Sequence, residues 1–415
     1  MPKISVCSST YNHEKYVVDA IQSVLNQTCQ DFELIITDDA STDGNVAKIR
    51  TIKDPRIMLF CHDSNRGNMV ASQTCFDHSS GQYLVYLTTD DIFEPDMFEV
   101  LSQYLDQHPD ALGVFGQATF IDEDGKSFDH TYPENDGGVG LDRFQQLNNL
   151  FWIVNYFCCP AAMIRRSSFE KVGYFLPYLR QTHDLAHWIR LLFQGDLPIL
   201  SNRLLKFRIR ANDANAGSLT PETWRRIDFE VFENLQVYVD NIRDTALLCK
   251  IFPKAKEHPW PLEDELIPFH IAHIALSRQS AVHRLFGLRL LYRLMSDRNT
   301  ADYLRTKCKF DYPDMFRLQG EKPLFADYRE LGKDEAQLRK KIDSLRQQLV
   351  NSCTENYEFA EREIQLCNEI ELLRQELKDS RAHCEQLETA YQALLNSASW
   401  KATSFLRQVK SVLVK

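Results

Sequence analysis

The chain has 415 residues, a length that exceeds one compact core and suits two or three structural units, since single cores stop growing near ~250–300 residues. Its 44% hydrophobic and 26% charged residues are those of a globular protein, and a net charge of −10 argues against a nucleic acid as the main partner. The eleven cysteines include no CxxC pair, and adjacent Cys158 and Cys159 form neither a zinc spacing nor a disulfide framework, so a reducing compartment is expected.

The amino terminus turns polar almost at once and lacks the ~7–15-residue apolar segment of a signal peptide, so export by that route is not expected. Four apolar bursts, Ile4–Cys7, Phe32–Thr37, Ile57–Cys61 and Tyr83–Leu87, read as buried strands. The stretches between the first three have helical periodicity, clearest where Tyr16, Val17, Ala20, Ile21, Val24 and Leu25 recur at three- and four-residue steps. Alternation of this kind predicts an α/β domain with a mainly parallel sheet flanked by helices, whose ligands bind beyond the carboxyl ends of the strands. The apolar stretch from Leu150 to Ile164, interrupted by Asn155 and Pro160, is too short for a ~18-residue membrane span and reads as core.

The residues just after each burst are therefore the candidates for chemistry. After the first, Ser8-Ser9-Thr10-Tyr11-Asn12 offers hydroxyls and one ring on which a nucleotide base could stack. After the second, Asp38-Asp39-Ala40-Ser41-Thr42-Asp43-Gly44 places an acid where it can accept from a base or ribose, while Ser41 and Asp43 can equally cap the next helix. The fourth ends in Thr88-Thr89-Asp90-Asp91, whose adjacent carboxylates repel each other. A divalent cation would resolve the repulsion, because hard oxygen ligands suit Mg²⁺ or Mn²⁺, which usually bridge to substrate phosphates. The alternative is a solvated acidic loop capping a helix near Asp96.

Taken in order, Lys3-Ile4-Ser5-Val6 with Thr10-Tyr11-Asn12, Ser23-Val24-Leu25-Asn26-Gln27-Thr28, Asp31-Phe32-Glu33-Leu34, Asp38 to Asp43 and Thr89-Asp90-Asp91 closely resemble glycosyltransferase family 2. The resemblance continues through Asn65-Arg66-Gly67, Ser80-Gly81-Gln82-Tyr83, Pro95-Asp96, Met163 to Ser167 and Val172-Gly173-Tyr174-Phe175, and covers about half the chain. It implies the nucleotide-diphospho-sugar transferase fold called GT-A and an inverting, hexosyltransferase-type activity on a nucleotide-diphosphate sugar, with UDP-sugars favoured. By resemblance, Ser9, Tyr11 and Asp39 would hold the nucleoside, Asp90 the ribose or sugar, and Asp91 the Mn²⁺ or Mg²⁺ that bridges the diphosphate. The family's general base is usually the Asp of a Glu-Asp pair; the matching place is His183-Asp184, which makes Asp184 the expected base and His183 a departure. His183 and His187, four apart, are expected to be surface or outer residues rather than metal ligands.

Phe207-Arg208-Ile209-Arg210-Ala211-Asn212 resembles the segment whose basic residues face the diphosphate, which implicates Arg208 and Arg210. The same alternation also suits an edge strand with one solvated face. The Gln-x-x-Arg-Trp pattern of the family's processive synthases is not found, so one or a few sugars per encounter are expected. Two other readings fit parts of the pattern: a metal-dependent nucleotidyltransferase, and a non-catalytic coiled-coil scaffold carrying a relic sugar-nucleotide domain. The first has no evident use for Asp184.

Beyond a catalytic part assigned to residues 1–220, a helical appendage is expected over 221–329, broken near Pro253, Pro259 and Pro261. Over 330–396 one heptad frame from Leu338 to Leu394 sets an apolar seam, with Ser352, Asn356, Glu363 and Ser380 as polar exceptions. A coiled coil and a homo-oligomer follow from it; the alternative is one amphipathic helix folded back on the catalytic part. In the tail, 397–415, Trp400, Phe405, Leu406, Val409, Val412 and Leu413 fall at helical spacing beside Lys401, Arg407, Lys410 and Lys415, a composition suited to an anionic membrane surface. A frayed helix end is the plainer reading. The tail resembles segments that end coiled coils in bacterial surface-polysaccharide enzymes. That resemblance implies a glycan or lipid-linked acceptor, as in lipopolysaccharide O-antigen or capsule synthesis, at the inner face of the cytoplasmic membrane.

Overall fold

In the computed structural model the described residues are 1–129, 137–210, 220–278 and 280–321, with 340–341, 344, 368–376 and 378–380 beyond them. Eight strands form one sheet: β1 (Ile4–Thr10), β2 (Phe32–Asp38), β3 (Ile57–Cys61), β4 (Tyr83–Tyr86), β5 (Ile92–Phe93), β6 (Gly113–Ile121), β7 (Ala162–Arg165) and β8 (Ile199–Arg208). Their order is β3-β2-β1-β4-β7-β6-β8-β5. The pairs β1/β2, β1/β4, β2/β3 and β6/β8 are parallel, whereas β4/β7, β6/β7 and β5/β8 are antiparallel.

The four apolar bursts are the four strands β1 to β4. All seven residues of β1 are buried because β1 is central and covered on both faces, which is why it reads as a continuous apolar run. The pleat divides its side chains. Ile4 and Val6 join one core with Leu34, Ile36 and Val85, under Val17, Ala20, Ile21 and Val24 of α1 (Val17–Leu25) and Phe98, Leu101 and Leu105 of α4 (Met97–Gln107). On the opposite face Cys7 and Ile35 pack against Cys75 of α3 (Asn68–Asp77). The helix after β2 is α2 (Asn45–Thr51), and α5 (Arg143–Phe151), α6 (Arg166–Val172) and α7 (His183–Leu192) follow in the second half of the sheet.

In the stretch from Leu150 to Ile164 the end of α5 and β7 are buried, but Ile153 between them is 36% exposed at a φ of 63°. That stretch is core at both ends and a surface turn in the middle. The segment at Phe207 is no edge strand either: β8 lies between β6 and β5, and Arg208 is 3% exposed. The two-residue strand β5, too short to stand out in the sequence, supplies the edge.

Six helices follow: α8 (Pro221–Asn241), α9 (Thr245–Ile251), α10 (Ile267–Leu276), α11 (Ala281–Ser296), α12 (Arg298–Cys308) and α13 (Tyr312–Gly320). They belong to the same compact unit as the sheet, Met1–Gln319. Tyr238 donates its hydroxyl hydrogen to the Leu147 carbonyl (2.7 Å), and Asn148 donates to that of Ile251 (2.8 Å), which ties α8 and α9 to α5. The rest of the chain, Gly320–Lys415, is a second unit. In it, residues 368–376 are helical; Ile370 and Leu373, both on the expected seam, are buried, and Leu372 off the seam is exposed. Most of the seam and the Trp400–Lys415 tail lie outside the described residues. Among the described residues no helix is long and apolar enough to cross a membrane.

Candidate active site

Strand order reverses at β1, with β2 on one side and β4 on the other, so the loops after β1 and β4 diverge and leave a crevice at their carboxyl ends. The loops after β1 and β2 are knitted together at one wall of it. Thr42 N–H donates to Asn12 Oδ1 (2.8 Å), Asn12 N–H to Ser41 Oγ (2.9 Å), and Glu14 N–H to Asp43 Oδ2 (3.0 Å). Asp43 Oδ1 also accepts from Asn45 N–H (3.0 Å), the first residue of α2, but the N-cap is Gly44 with no side-chain cap, and Ser41 Oγ bonds Asn12 rather than the helix backbone. Tyr11 stands out from this wall, 42% exposed.

Asp39, nearly buried, accepts from the backbone N–H of Arg66 (2.9 Å) and of Gly67 (2.7 Å) and lies 2.8 Å from His62 Nδ1. Gly67 has a φ of 95°, which a residue with a Cβ adopts poorly, and it sits at the start of α3. The carboxylate thus shapes the Asn65-Arg66-Gly67 turn that the sequence singled out. Ser9 hydrogen-bonds Asn68 Oδ1 and the Tyr86 hydroxyl (2.6 Å), and Tyr86 donates to Asn68 Oδ1 (2.7 Å). Burial pushes the Tyr86 phenol up to about 12, so the network stays neutral.

Asp90 and Asp91 follow β4. Asp91, 2% exposed, accepts at Oδ1 from the Arg208 backbone N–H (2.8 Å) and at Oδ2 from the Thr88 hydroxyl. Burial, and then the Asp90 charge, push its carboxyl well above the usual range. Asp90 pairs through Oδ2 with Arg210 Nε (3.2 Å). Arg208 turns away from the crevice: Nε donates to the Asp90 carbonyl (2.8 Å), Nη1 to those of Asp122 (2.8 Å) and Glu123 (3.0 Å), and the guanidinium lies 4.8 Å from the centre of the Tyr16 ring. The two arginines therefore part company. Arg210 faces the acids, whereas Arg208 holds the backbone around them.

His13, which the sequence did not single out, joins the two sides. Its Nδ1 hydrogen-bonds Thr89 Oγ1 (2.6 Å), its Nε2 lies 3.3 Å from Arg210 Nη1, and burial lowers its pKa. Its position next to Thr10-Tyr11-Asn12 was the available signal; the contact with Thr89, 76 residues away, was not.

Asp184 lies in the first turn of α7, half-buried, with Oδ1 accepting from Leu185 N–H (2.7 Å). Just before β7, the Cys159 thiol is pushed up by burial first, and then by the charges of Asp184 and Asp91. His183 packs edge-on to Phe175, and His187 is fully buried among Phe169, Phe175 and Trp188 with its pKa driven well down by burial. His187 is thus a core residue, whereas the sequence suggested a surface or outer one; His183 is partly buried. Among the described residues no group of three or more His, Cys, Asp or Glu side chains could hold a metal ion.

Comparison with known proteins gives the class. The family model for glycosyl transferase family 2 matches residues 5–173. An uncharacterised glycosyltransferase of Nostoc is 33% identical over 228 residues, 53% of this chain and 69% of that protein. The chain belongs to glycosyltransferase family 2, and its α/β domain is GT-A-like. A Bacillus subtilis glycosyltransferase named for teichuronic acid biosynthesis is 28% identical over 230 residues, 54% of this chain and 86% of that one. Other relatives are longer proteins, of which the matched segment spans about a third. Staphylococcus aureus TarS, residues 1–349 with UDP, aligns with a TM-score of 0.47 at 13% identity, over 72% of this chain and 88% of that one.

Proposed function

We propose that this glycosyltransferase is inverting and moves a sugar, with UDP-sugars favoured, from a nucleoside diphosphate to a hydroxyl of a glycan or lipid-linked acceptor. Asp184 takes the proton of the acceptor hydroxyl, whose oxygen attacks the anomeric carbon; the bond to the diphosphate breaks with inversion and the nucleoside diphosphate leaves. Ser9, Tyr11 and Asp39 form the nucleoside end, with Tyr11 free to stack, and Arg210 and Asp90 lie toward the sugar and phosphates. What supports this reading is membership of glycosyltransferase family 2 together with the buried Asp90-Asp91 pair at the carboxyl end of β4, where Arg210 pairs with Asp90.

The residues fit a divalent cation of the kind that borrows its remaining ligands from the substrate. Asp91 would hold it, since the buried, mutually repelling Asp90-Asp91 pair is relieved by positive charge and each Asp91 oxygen has a lone pair beyond its one hydrogen bond. Mn²⁺ or Mg²⁺ there would neutralise charge developing on the diphosphate.

The Bacillus relative's name supports a surface polymer as the product, and the basic composition of 397–415 supports an acceptor at a membrane face. Screening nucleotide sugars for metal-dependent nucleoside-diphosphate release, with the anomeric configuration of the product read by NMR, tests the reading. Release of pyrophosphate instead, or retained configuration, would overturn it.

A further inference from the structure

Asp184 sits at the start of a helix whose own cap does not hold it in place. Thr182, the residue before α7, makes no side-chain bond to the helix, because its hydroxyl points elsewhere. It points to Glu230, on α8, 48 positions further along the chain. The Glu230 carboxylate, 4% exposed, accepts from three successive backbone N–H groups: Arg180 at Oε1 (2.8 Å), and Gln181 (2.8 Å) and Thr182 (2.7 Å) at Oε2. The Thr182 hydroxyl adds a fourth bond to Oε2 (3.1 Å) and in turn accepts from Asn234 Nδ2 (2.9 Å), one turn along α8.

The other end of this loop is pinned too. Gly173 ends α6 at a φ of 79°, and Arg190 of α7 donates to the carbonyls of Val172 and Tyr174, both at 2.8 Å. Residues 173–182 are thus clamped at both ends, and the clamp nearer the chemistry is one carboxylate.

We propose that Glu230 is a positioning residue: it fixes the chain at residues 180–182 and so sets the height and direction of Asp184 against the acceptor hydroxyl. This rests on the reading of Asp184 as the base. Bonds from N–H groups to an ionised, water-excluded carboxylate are roughly twice as strong as neutral ones. Three on consecutive residues leave that segment little freedom to shift. A misplacement of about 1 Å in a catalytic group can cost ~10²-fold in rate. Glu230 belongs to α8, the helix that follows β8, outside the part matched by the family model. The helical region thereby takes part in the chemistry without touching the donor.

The test uses the full chain and Glu230→Gln, which keeps the shape but turns an N–H₂ toward backbone donors. UDP with Mn²⁺ serves as the binding probe, and the nucleotide sugar turned over by the wild type in the screen serves for kinetics. Glu230→Gln is expected to leave UDP–Mn²⁺ affinity and donor KM within about 2–3-fold while kcat falls ~10- to ~100-fold. In the Asp184→Asn background it should add almost nothing, because both changes act on one step. Equal loss of UDP affinity and kcat, unchanged kcat, or effects that multiply in the double variant would each overturn the proposal. Wild-type transfer by Asp184→Asn alone would instead remove the base assignment. Should Glu230→Gln fail to fold, Thr182→Val, which deletes one of the four bonds, should show the same split at ~3- to ~10-fold; an unchanged kcat there overturns the proposal.

Discussion

Replacing Asp91 with Asn should make the protein more stable and inactive at once. The amide can keep both native bonds, accepting from Arg208 N–H and donating to the Thr88 oxygen, so geometry is preserved while one buried charge is removed. For neighbouring carboxylates, a generic separation of ~5 Å at an effective dielectric of ~20 corresponds to a repulsion of roughly 3 kcal/mol. The Arg210 pair with Asp90 offsets part of this, which leaves a gain of ~1–2 kcal/mol, or roughly 1–3 °C in Tm for a unit of this size. The pH dependence gives a sharper signature. Because the native Asp91 carboxyl is raised above its unfolded value, the native state binds more protons between the two, and wild-type stability falls as pH rises through that interval. Asn carries no such proton, so the advantage of the variant should grow from acid toward neutral pH. Saturating UDP–Mn²⁺, at about 100 times its Kd, should stabilise the wild type by ~2.7 kcal/mol and leave Asp91→Asn nearly unmoved. Thermal melts from pH 4 to 8, with and without UDP–Mn²⁺, read all of this. A variant that melts below the wild type at every pH and still gains from UDP–Mn²⁺ would refute the reasoning.

Asp184→Asn should keep UDP–Mn²⁺ binding by calorimetry and lower transfer by ~10²–10⁴-fold. Arg210→Ala leaves Asp90 unpaired beside Asp91, so a loss of about 1–3 kcal/mol in urea unfolding is expected, together with weaker nucleoside-diphosphate affinity. Gly81→Ala should destabilise by at least ~2 kcal/mol, since a Cβ there would come within 2.6 Å of the Ser5 backbone nitrogen, and circular dichroism melts would show it. Removing the chain from about residue 330 should leave donor hydrolysis intact while sedimentation falls to a monomer and binding to anionic liposomes is lost; retention of both would make the 330–396 segment an internal helix.

The sequence by itself determined the first half of the sheet. Strands β1, β2 and β4 are largely buried and so appear as apolar runs, β3 is a half-buried edge strand that still reads as one, and the acids and hydroxyls that follow β1, β2 and β4 are local in sequence to the strands that aim them. Family membership was legible for the same reason, since its motifs are short and contiguous. What lay outside such runs could be placed only by tertiary structure. Arg208 and Arg210 occupy matching positions on one segment, yet one is consumed by the carbonyls of Asp90, Asp122 and Glu123 while the other faces Asp90. Their difference depends on the pairing of β8 between β6 and β5, a long-range register that no local pattern encodes. His13 on Thr89 and Glu230 on residues 180–182 are likewise contacts between distant segments. A glutamate on an amphipathic helix looks solvated in sequence, and only the loop folded against α8 turns it into a buried acceptor of four hydrogen bonds.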